Sequence, residues 1–496
     1  MSAAGVRAGA LLSCALLLAA GRGAAETVLR VCDDIQDPRT LDPQKEFSEK
    51  NHILLQQINE GLVRFDPAGN IEPALAVSWE RTSPTVVRFK LREGVSFHDG
   101  EPFDAEAVRF SVKRILDPAT GFPGLSFINT IVEARVVDAR TVDVVTSIPD
   151  GILMRRLAFQ VPMVPPGYTV KKGTAAFIDE AIGTGPFRFA RWERGKQIVL
   201  EANPDYWDKG YPKAGRLVFR FIPEDKQVAA LLAGDIDILT SLPGTRTFDV
   251  QDNAATRVLK KPTFYTIVGN FNTARKPFAD KRLREAVNLA VDRDALVRYD
   301  VFGNGVPIGT VSFPGEFGHN DKIKPYPYDP KRARQLLKEA GYPDGLDLDV
   351  LMKGNAQRTG GIIAKQLARI GIRMKTTVMS DSEIFKYMAD KGRWDMMISD
   401  CPDPMYHAFF IRTIFLYGKS PFSLSADAGI DSRLETMTQT IDLDKQRALS
   451  EELDSYIHDE YLAFPTYQRL RTYGLRKGVA FSPYLSGVSL FYSAHP

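Results

Sequence analysis

The fold is decided by five consecutive segments, which read LDLDVLM (346–352), TGGIIAKQLARI (359–370), IRMKTTVM (372–379), SDSEIFKYMADK (380–391) and WDMMIS (394–399). The first, third and fifth are apolar-rich and short, which predicts strands, whereas the second and fourth have helical spacing. Gly371 is placed to cap the first helix, and Ser380 and Glu383 match a capping box for the second. Because helices join the strands, we expect a parallel order.

A second α/β unit is predicted in the first half of the chain. It contains a strand at Leu29 to Asp33, and a strand, helix and strand within 216–241. Residues 62–180 carry short alternating runs between Pro and Gly, with one helix near 104–116, which indicates a mainly β insertion. Helices are also predicted at 280–299 and 329–340, so the chain reads as two α/β lobes.

The composition is that of a globular chain with no strong charge bias. Its 496 residues are 44% hydrophobic and 25% charged, with 64 Lys and Arg against 61 Asp and Glu. This excludes collagen-like, disordered and disulfide-framework chains. The net charge of +3 supplies no broad basic surface, so nucleic acid is not an expected partner.

The first 25 residues predict a secretory signal peptide. A short region with Arg7 precedes the apolar run from Ala8 to Ala20, and the small residues Gly23, Ala24 and Ala25 follow it. The run is shorter than the roughly 20 apolar residues that a membrane-spanning helix needs. Export leaves Cys32 and Cys401, for which one disulfide or two buried thiols are both open.

Motifs for catalysis and for metal binding are missing from the sequence. It contains no H-E-x-x-H, G-x-S-x-G or C-x-x-C, and its six histidines are scattered. We therefore predict no catalytic residue, no metal site and no cofactor.

Candidate ligand contacts follow from the expected topology, because ligands of open parallel sheets bind beyond the carboxyl ends of the strands. Asp400 stands at the end of the last parallel strand, and we expect it to contact the ligand, whereas Asp403 before Pro404 fits a turn. Asp33 and Asp34 end the first strand of the other lobe. They would suit a cationic ligand group, or bond to local backbone instead.

Four further residues are candidates beside these aspartates. Arg358 lies between a strand end and a helix N-terminus and could hold a carboxylate, with a solvated surface arginine as the alternative. Met397, Tyr406 and His407 would supply apolar walls and one titratable ring. For His407 we favour packing or hydrogen bonding over metal ligation, because no second histidine is spaced near it.

The whole chain resembles the family 5 extracellular solute-binding proteins, the peptide, nickel and opine binding subunits of bacterial ABC importers. The resemblance is carried by TLDP (40–43), EGLV (60–63), EPALAVSW (72–79), FKLREGVSFHDG (89–100), GTGPF (183–187), NPDYW (203–207) and FNT (271–273).

The resemblance implies an α/β, two-lobe periplasmic-binding-protein fold of class II, cluster C type, with an extra mainly β subdomain in lobe I. It places lobe I at 26–265 and 477–496, with the β-rich subdomain at 62–180, and lobe II at 266–476. Crossing segments near 266–272 and 472–478 would form the hinge.

The resemblance also assigns ligand contacts. In peptide binders of the family a W-x-x-D segment stands over the ligand, and its Asp takes the α-amino group. The matching residues are Met397-Ile398-Ser399-Asp400, which keep the Asp but replace the Trp. The ligand backbone would lie between the strand at Asp33 and Asp34 and the strand at Met397 to Ser399.

We therefore predict a periplasmic, monomeric receptor that performs no chemistry. It would capture a small amine-bearing solute, such as a peptide or an opine-like conjugate, by lobe closure and deliver it to a membrane permease and its ATPase. The alternatives are a metal-chelate or haem receptor that uses His407, an oligosaccharide receptor, and, least favoured, a secreted hydrolase.

Overall fold

The computed structural model describes residues 27–33, 37–46, 49–380 and 383–496. The predicted signal peptide and Asp34 lie outside the described residues. None of the described helices is long and apolar enough to span a bilayer.

The strands are β1 (Val28–Cys32), β2 (Val63–Phe65), β3 (Ile71–Pro73), β4 (Ala76–Ser83), β5 (Val86–Leu91), β6 (Ile131–Asp138), β7 (Thr141–Thr146), β8 (Phe187–Glu193), β9 (Gln197–Ala202), β10 (Arg216–Arg220), β11 (Ile238–Leu239), β12 (Thr256–Phe271), β13 (Gly305–Pro307), β14 (Leu346–Lys353), β15 (Ile372–Met379), β16 (Met396–Pro402) and β17 (Ala463–Arg476). The helices are α1 (Glu49–Leu55), α2 (Ala105–Leu116), α3 (Leu153–Gln160), α4 (Pro166–Lys172), α5 (Glu224–Ala233), α6 (Thr247–Gln251), α7 (Lys281–Leu289), α8 (Arg293–Tyr299), α9 (Pro330–Glu339), α10 (Gln357–Ala368), α11 (Ile384–Met388), α12 (Phe409–Phe415), α13 (Ala428–Gln439) and α14 (Leu443–Asp459).

One large sheet runs through the molecule in the order β15-β14-β16-β12-β17-β11-β1-β10-β9-β8. It contains two parallel groups: β14 pairs with β15 and β16, and β1 pairs with β10 and β11. Both parallel arrangements agree with the sequence prediction. Smaller antiparallel sheets, β2-β3 and β4-β5-β7-β6, hold the β-rich segment.

Alternation along β14 shows how the sequence forms the second parallel group. Leu346, Leu348 and Val350 are buried, and Asp347 and Asp349 between them are exposed. The buried side chains pack against Ile363 and Leu367 of α10 in one apolar core, which follows the predicted helical spacing. Each such burial contributes about 1.5–3 kcal/mol relative to an exposed side chain.

Two predicted helices differ from the structure. The segment 280–299 forms α7 and α8 rather than one helix, because the Asp292 side chain accepts a hydrogen bond from the Ala295 N–H and starts a new helix. The segment 380–391 keeps its predicted cap, since Glu383 accepts from the Ser380 N–H. Its helix α11 ends early, where the buried indole of Trp394 donates to a backbone carbonyl.

The long strands β12 and β17 connect the two parallel groups. They pair with each other, while β12 also pairs with β16 and β17 also pairs with β11. Their register shifts between Pro262 and Thr266, just before the first predicted crossing segment. Pro262 has no N–H to donate to the ladder, and a bulge lets the strand bend there.

Candidate ligand-binding cleft

A cavity of about 110 Å³ lies where the carboxyl ends of the two parallel groups face each other. Asp33 follows β1 and Ser241 follows β11 on one side, while Asn355 follows β14 on the other, where Asp400 lies two residues before the end of β16. Residues of the crossing strands complete its wall. The lining residues are Asp33, Ile53, Ser241, Thr263, Tyr265, Asn355, Asp400, Arg469, Arg471, Ser486 and Gly487.

Asp400 is held by three polar neighbours at this cavity. The Lys353 ammonium lies 3.0 Å from one carboxylate oxygen, and the other oxygen accepts from the Tyr265 hydroxyl at 3.1 Å and the Asn355 amide at 3.3 Å. Burial raises the pKa of Asp400, but Lys353 and the two donors outweigh it, so the pKa lies below its ordinary value. Asp400 is therefore a carboxylate at neutral pH.

Asp33, on the opposite wall, is also paired. Its carboxylate lies 3.4 Å from the Arg471 guanidinium and is buried. Arg471 in turn donates to the carbonyls of Thr240 at 2.9 Å and Gly487 at 3.1 Å. Asp33 and Asp400 thus line the same cavity, and each of these carboxylates has a cation beside it.

Arg469 differs from the other cations of the cleft. Its guanidinium lies over the Tyr265 ring, 5.4 Å from the ring centre, and makes no hydrogen bond or ion pair anywhere in the described chain. It also lines a second cavity of about 320 Å³ that shares Ser241 and Arg471 with the first. The two cavities adjoin along β17.

The structure places Arg358 beside this second cavity rather than in the wall of either. Its guanidinium donates to the Tyr299 carbonyl at 2.7 Å, pairs with Asp300 at 3.4 Å and covers the Phe302 ring. Asp300 and Phe302 line the cavity, and Arg358 stands behind them.

Met397 and Ser399 lie in β16 and do not line either cavity. The Met397 side chain is fully buried in an apolar core. The Ser399 hydroxyl donates to the Asp400 carbonyl at 2.9 Å. Both residues belong to β16, the strand that also carries Asp400, and pair with β12.

Tyr406 contacts the β-rich segment and the C-terminal segment of the chain. Its hydroxyl accepts a hydrogen bond from Ser486 at 3.0 Å, and its ring packs against Phe65 and over Gly69. It lines a small, mostly apolar cavity of about 70 Å³ that shares Ser486 with the cavity at Asp33 and Asp400. Arg155 of α3 donates to the Tyr406 carbonyl, which adds a contact at the same point.

His407 is buried and neutral. Its Nδ1 accepts from the Phe409 N–H at 3.0 Å, so Nε2 carries the proton and faces the Gln446 side-chain oxygen at 3.4 Å. Burial and the charge of Arg155 lower its pKa well below the ordinary value, against the raising effect of Gln446. No group of three potential metal ligands occurs among the described residues.

Five residues in or beside the cavity wall were not predicted from the sequence, namely Lys353, Asn355, Tyr265, Arg469 and Arg471. Lys353 ends β14 and Asn355 follows it, at the carboxyl end of a parallel strand, where ligands of such sheets bind, so their polar character was a usable signal. The arginines alternate on β17, and this pattern becomes informative only when the strand is known to cross the cleft. Cys32 and Cys401 are both buried, and no disulfide joins them to each other.

The amino-acid sequence of this chain is similar to those of known binding proteins. The chain is 28% identical over 388 residues to the glutathione-binding protein GsiB of Escherichia coli, covering 77% of this chain and 75% of that protein. The GsiB protein of Pectobacterium atrosepticum is 28% identical over 359 residues, covering 71% and 70%.

Solved structures show the same two-lobe fold. AgaA of A. tumefaciens with agropinic acid matches with a TM-score of 0.79 and 26% identity, over 94% of this chain and 98% of that one. DppA of Helicobacter pylori with the peptide STSA matches with a TM-score of 0.81 and 23% identity, over 95% and 98%. The sequence profile described as bacterial extracellular solute-binding proteins, family 5 Middle, matches residues 70–420. The chain belongs to this family 5 of solute-binding proteins, the binding components of ABC importers.

Proposed function

We propose that this protein is a periplasmic receptor that captures a small zwitterionic ligand, a short peptide or an opine-like amino acid conjugate, and releases it unchanged to a membrane permease. The observation that supports the proposal best is the Asp400–Lys353 ion pair, whose carboxylate lines the cavity. A ligand ammonium would bind Asp400 and a ligand carboxylate would bind Lys353. The ligand would then replace one internal ion pair with two.

The names of the relatives support the same ligand class. Glutathione, agropinic acid and a peptide are the ligands in their names and titles. All are small amino acid derivatives with carboxylate groups. His407 is buried away from the cavity, which is why the proposal does not follow the chelate or haem alternative.

Lobe closure would operate between the proposed lobes, 26–265 with 477–496 and 266–476. Tyr406 and Arg155 supply contacts from opposite sides of this division. The register shift between Pro262 and Thr266 is a natural place for the bend. A ligand that contacts both lobes favours the closed form, because only a difference in affinity between the two forms can shift their populations.

Native mass spectrometry of the purified mature protein is the direct experiment. The bound molecule would be identified after denaturation, and we expect a small compound with an amine and a carboxylate. An empty protein would next be screened by thermal shift with glutathione, dipeptides, opines, sugars and metal chelates. Stabilisation by a sugar or a chelate alone would contradict the proposal.

The substitution Asp400→Asn tests the amine contact. We expect it to weaken ligand binding by more than tenfold, because a hydrogen bond to a charged group contributes about 1.5–3 kcal/mol. Calorimetric titration measures the change. Asp347→Asn is the matched control, since Asp347 pairs with Lys375 at the start of β14, away from the cavity. Unchanged affinity in Asp400→Asn would remove Asp400 from the site.

A further inference from the structure

We propose that Arg469 binds a second anionic group of the ligand, so that the preferred ligand carries one ammonium and two carboxylates. This inference rests on the proposed function and narrows its ligand class. It starts from the charges of the cavity wall. Asp400 is paired with Lys353 and Asp33 with Arg471, whereas the guanidinium of Arg469 has no hydrogen-bond or ion-pair partner in the described chain.

The position of Arg469 suits a carboxylate. The Arg469 guanidinium lies over the Tyr265 ring, 5.4 Å from its centre, and both residues line the cavity, so the cation is within reach of a group bound there. A guanidinium presents a fixed set of donors that matches the two oxygens of a carboxylate. The hydroxyls of Ser241 and Thr263 lie in the same wall.

Tyr265 also sets the spacing between the two ligand groups. Its hydroxyl donates to Asp400, and its ring face carries Arg469. The ammonium site and the second anion site therefore stand at different parts of one tyrosine side chain. The proposed function already assigns Lys353 the carboxylate that accompanies the ammonium at Asp400, so a carboxylate at Arg469 is a second one.

The neighbouring cavity indicates on which side of Arg469 the anion binds. Glu224, in the first turn of α5, lines that second cavity and is exposed. Its negative charge would repel a carboxylate there. The anion is therefore expected on the Tyr265 side, where the carboxylates of Asp33 and Asp400 are already compensated.

The test compares acids with uncharged analogues of the same shape. The probes are glutathione with its glycyl monoethyl ester, and alanyl-glutamate with alanyl-glutamine, titrated against the wild-type protein and Arg469→Gln. We expect the wild type to prefer the acid of at least one pair by about tenfold or more. In Arg469→Gln this preference should fall to less than threefold, with the affinity for the uncharged partner retained.

Arg369→Gln is the control for loss of one positive charge. Arg369 follows the last residue of α10, is exposed and lines neither cavity, so this variant should keep the wild-type preference. Equal wild-type affinity for acid and analogue, or a preference that persists in Arg469→Gln, overturns the role of Arg469 and leaves the zwitterion receptor intact. Failure of the wild type to bind any of the four probes overturns the ligand class itself.

Discussion

The His98 imidazole uses both of its nitrogens inside the protein. Its Nδ1 accepts from the Gly183 N–H at 3.3 Å, so Nε2 carries the proton and donates to the Gly185 carbonyl at 3.0 Å. Burial lowers the pKa of His98 to about 4, although the bond to Gly185 opposes the shift. The neutral ring therefore ties the turn after β5 to the loop before β8.

This pKa predicts how one residue makes stability depend on pH. Because the folded pKa lies below the unfolded value of about 6.5, the contribution of His98 is complete above pH 6.5 and declines as the pH falls toward 4. From pH 7 to pH 5 the wild type should lose about 2 kcal/mol of unfolding free energy more than His98→Gln. Urea unfolding at both pH values measures the difference, and parallel losses in the two proteins would contradict it.

Single residues also show what the sequence could and could not reveal about the site. Asp400 was predicted because it ends an apolar strand, and the structure places it in the cavity wall. Its partner Lys353 was not predicted, because the register between parallel strands is fixed by packing across the sheet. Met397 and His407 are near Asp400 in sequence, but the chain turns their side chains into the core.

Among the elements, the loop after β16 contacts the β-rich segment through Tyr406. A Cβ added at Gly69 would lie 1.9 Å from the Tyr406 ring, and Gly69 has a φ of 89°. Tyr406 itself has a φ of 55°, a conformation that is uncommon outside glycine. The two backbone conformations together let the ring lie flat on the hairpin of β2 and β3.

The substitution Gly69→Ala is expected to weaken ligand binding severalfold. The new methyl group would displace Tyr406 and so destabilise the closed form. Gly94→Ala is the control, because Gly94 also has a positive φ of 70° but a Cβ there meets no atom within 4 Å. Both variants bear a similar backbone cost, of about 1–2 kcal/mol. Equal effects on affinity, measured by titration, would show that the Tyr406 contact does not govern closure.

The elements themselves were predicted well where the pattern is local. The strands and helices of 346–399 have clear periodicity and caps, and the structure shows them in parallel order. The pairing of β12 with β17 joins residues about 200 positions apart, and no local pattern encodes it. For the same reason the lobe boundaries stay a prediction, since they depend on where these two strands bend.

At the scale of the whole molecule, binding and closure should be measurable together. Ligand at 100 times its Kd is expected to add about 2.7 kcal/mol to the unfolding free energy. Small-angle scattering should show a smaller radius of gyration with ligand. In Arg155→Met the ligand-free protein should be more expanded than the wild type, because the bonds to the Met405 and Tyr406 carbonyls are lost. An unchanged radius in both comparisons would contradict closure.

The placement of Arg469 on β17 has a kinetic consequence. β17 crosses the proposed lobe division, and it also carries the guanidinium that has no ion-pair partner among the described residues, so bending and recognition of the ligand's charge would involve the same strand. An anion bound at Arg469 would stiffen this strand and slow reopening, and the charge of the ligand would then set its residence time. The proposed contact at Arg469 would then affect both which ligand binds and how fast the ligand is released to the proposed permease.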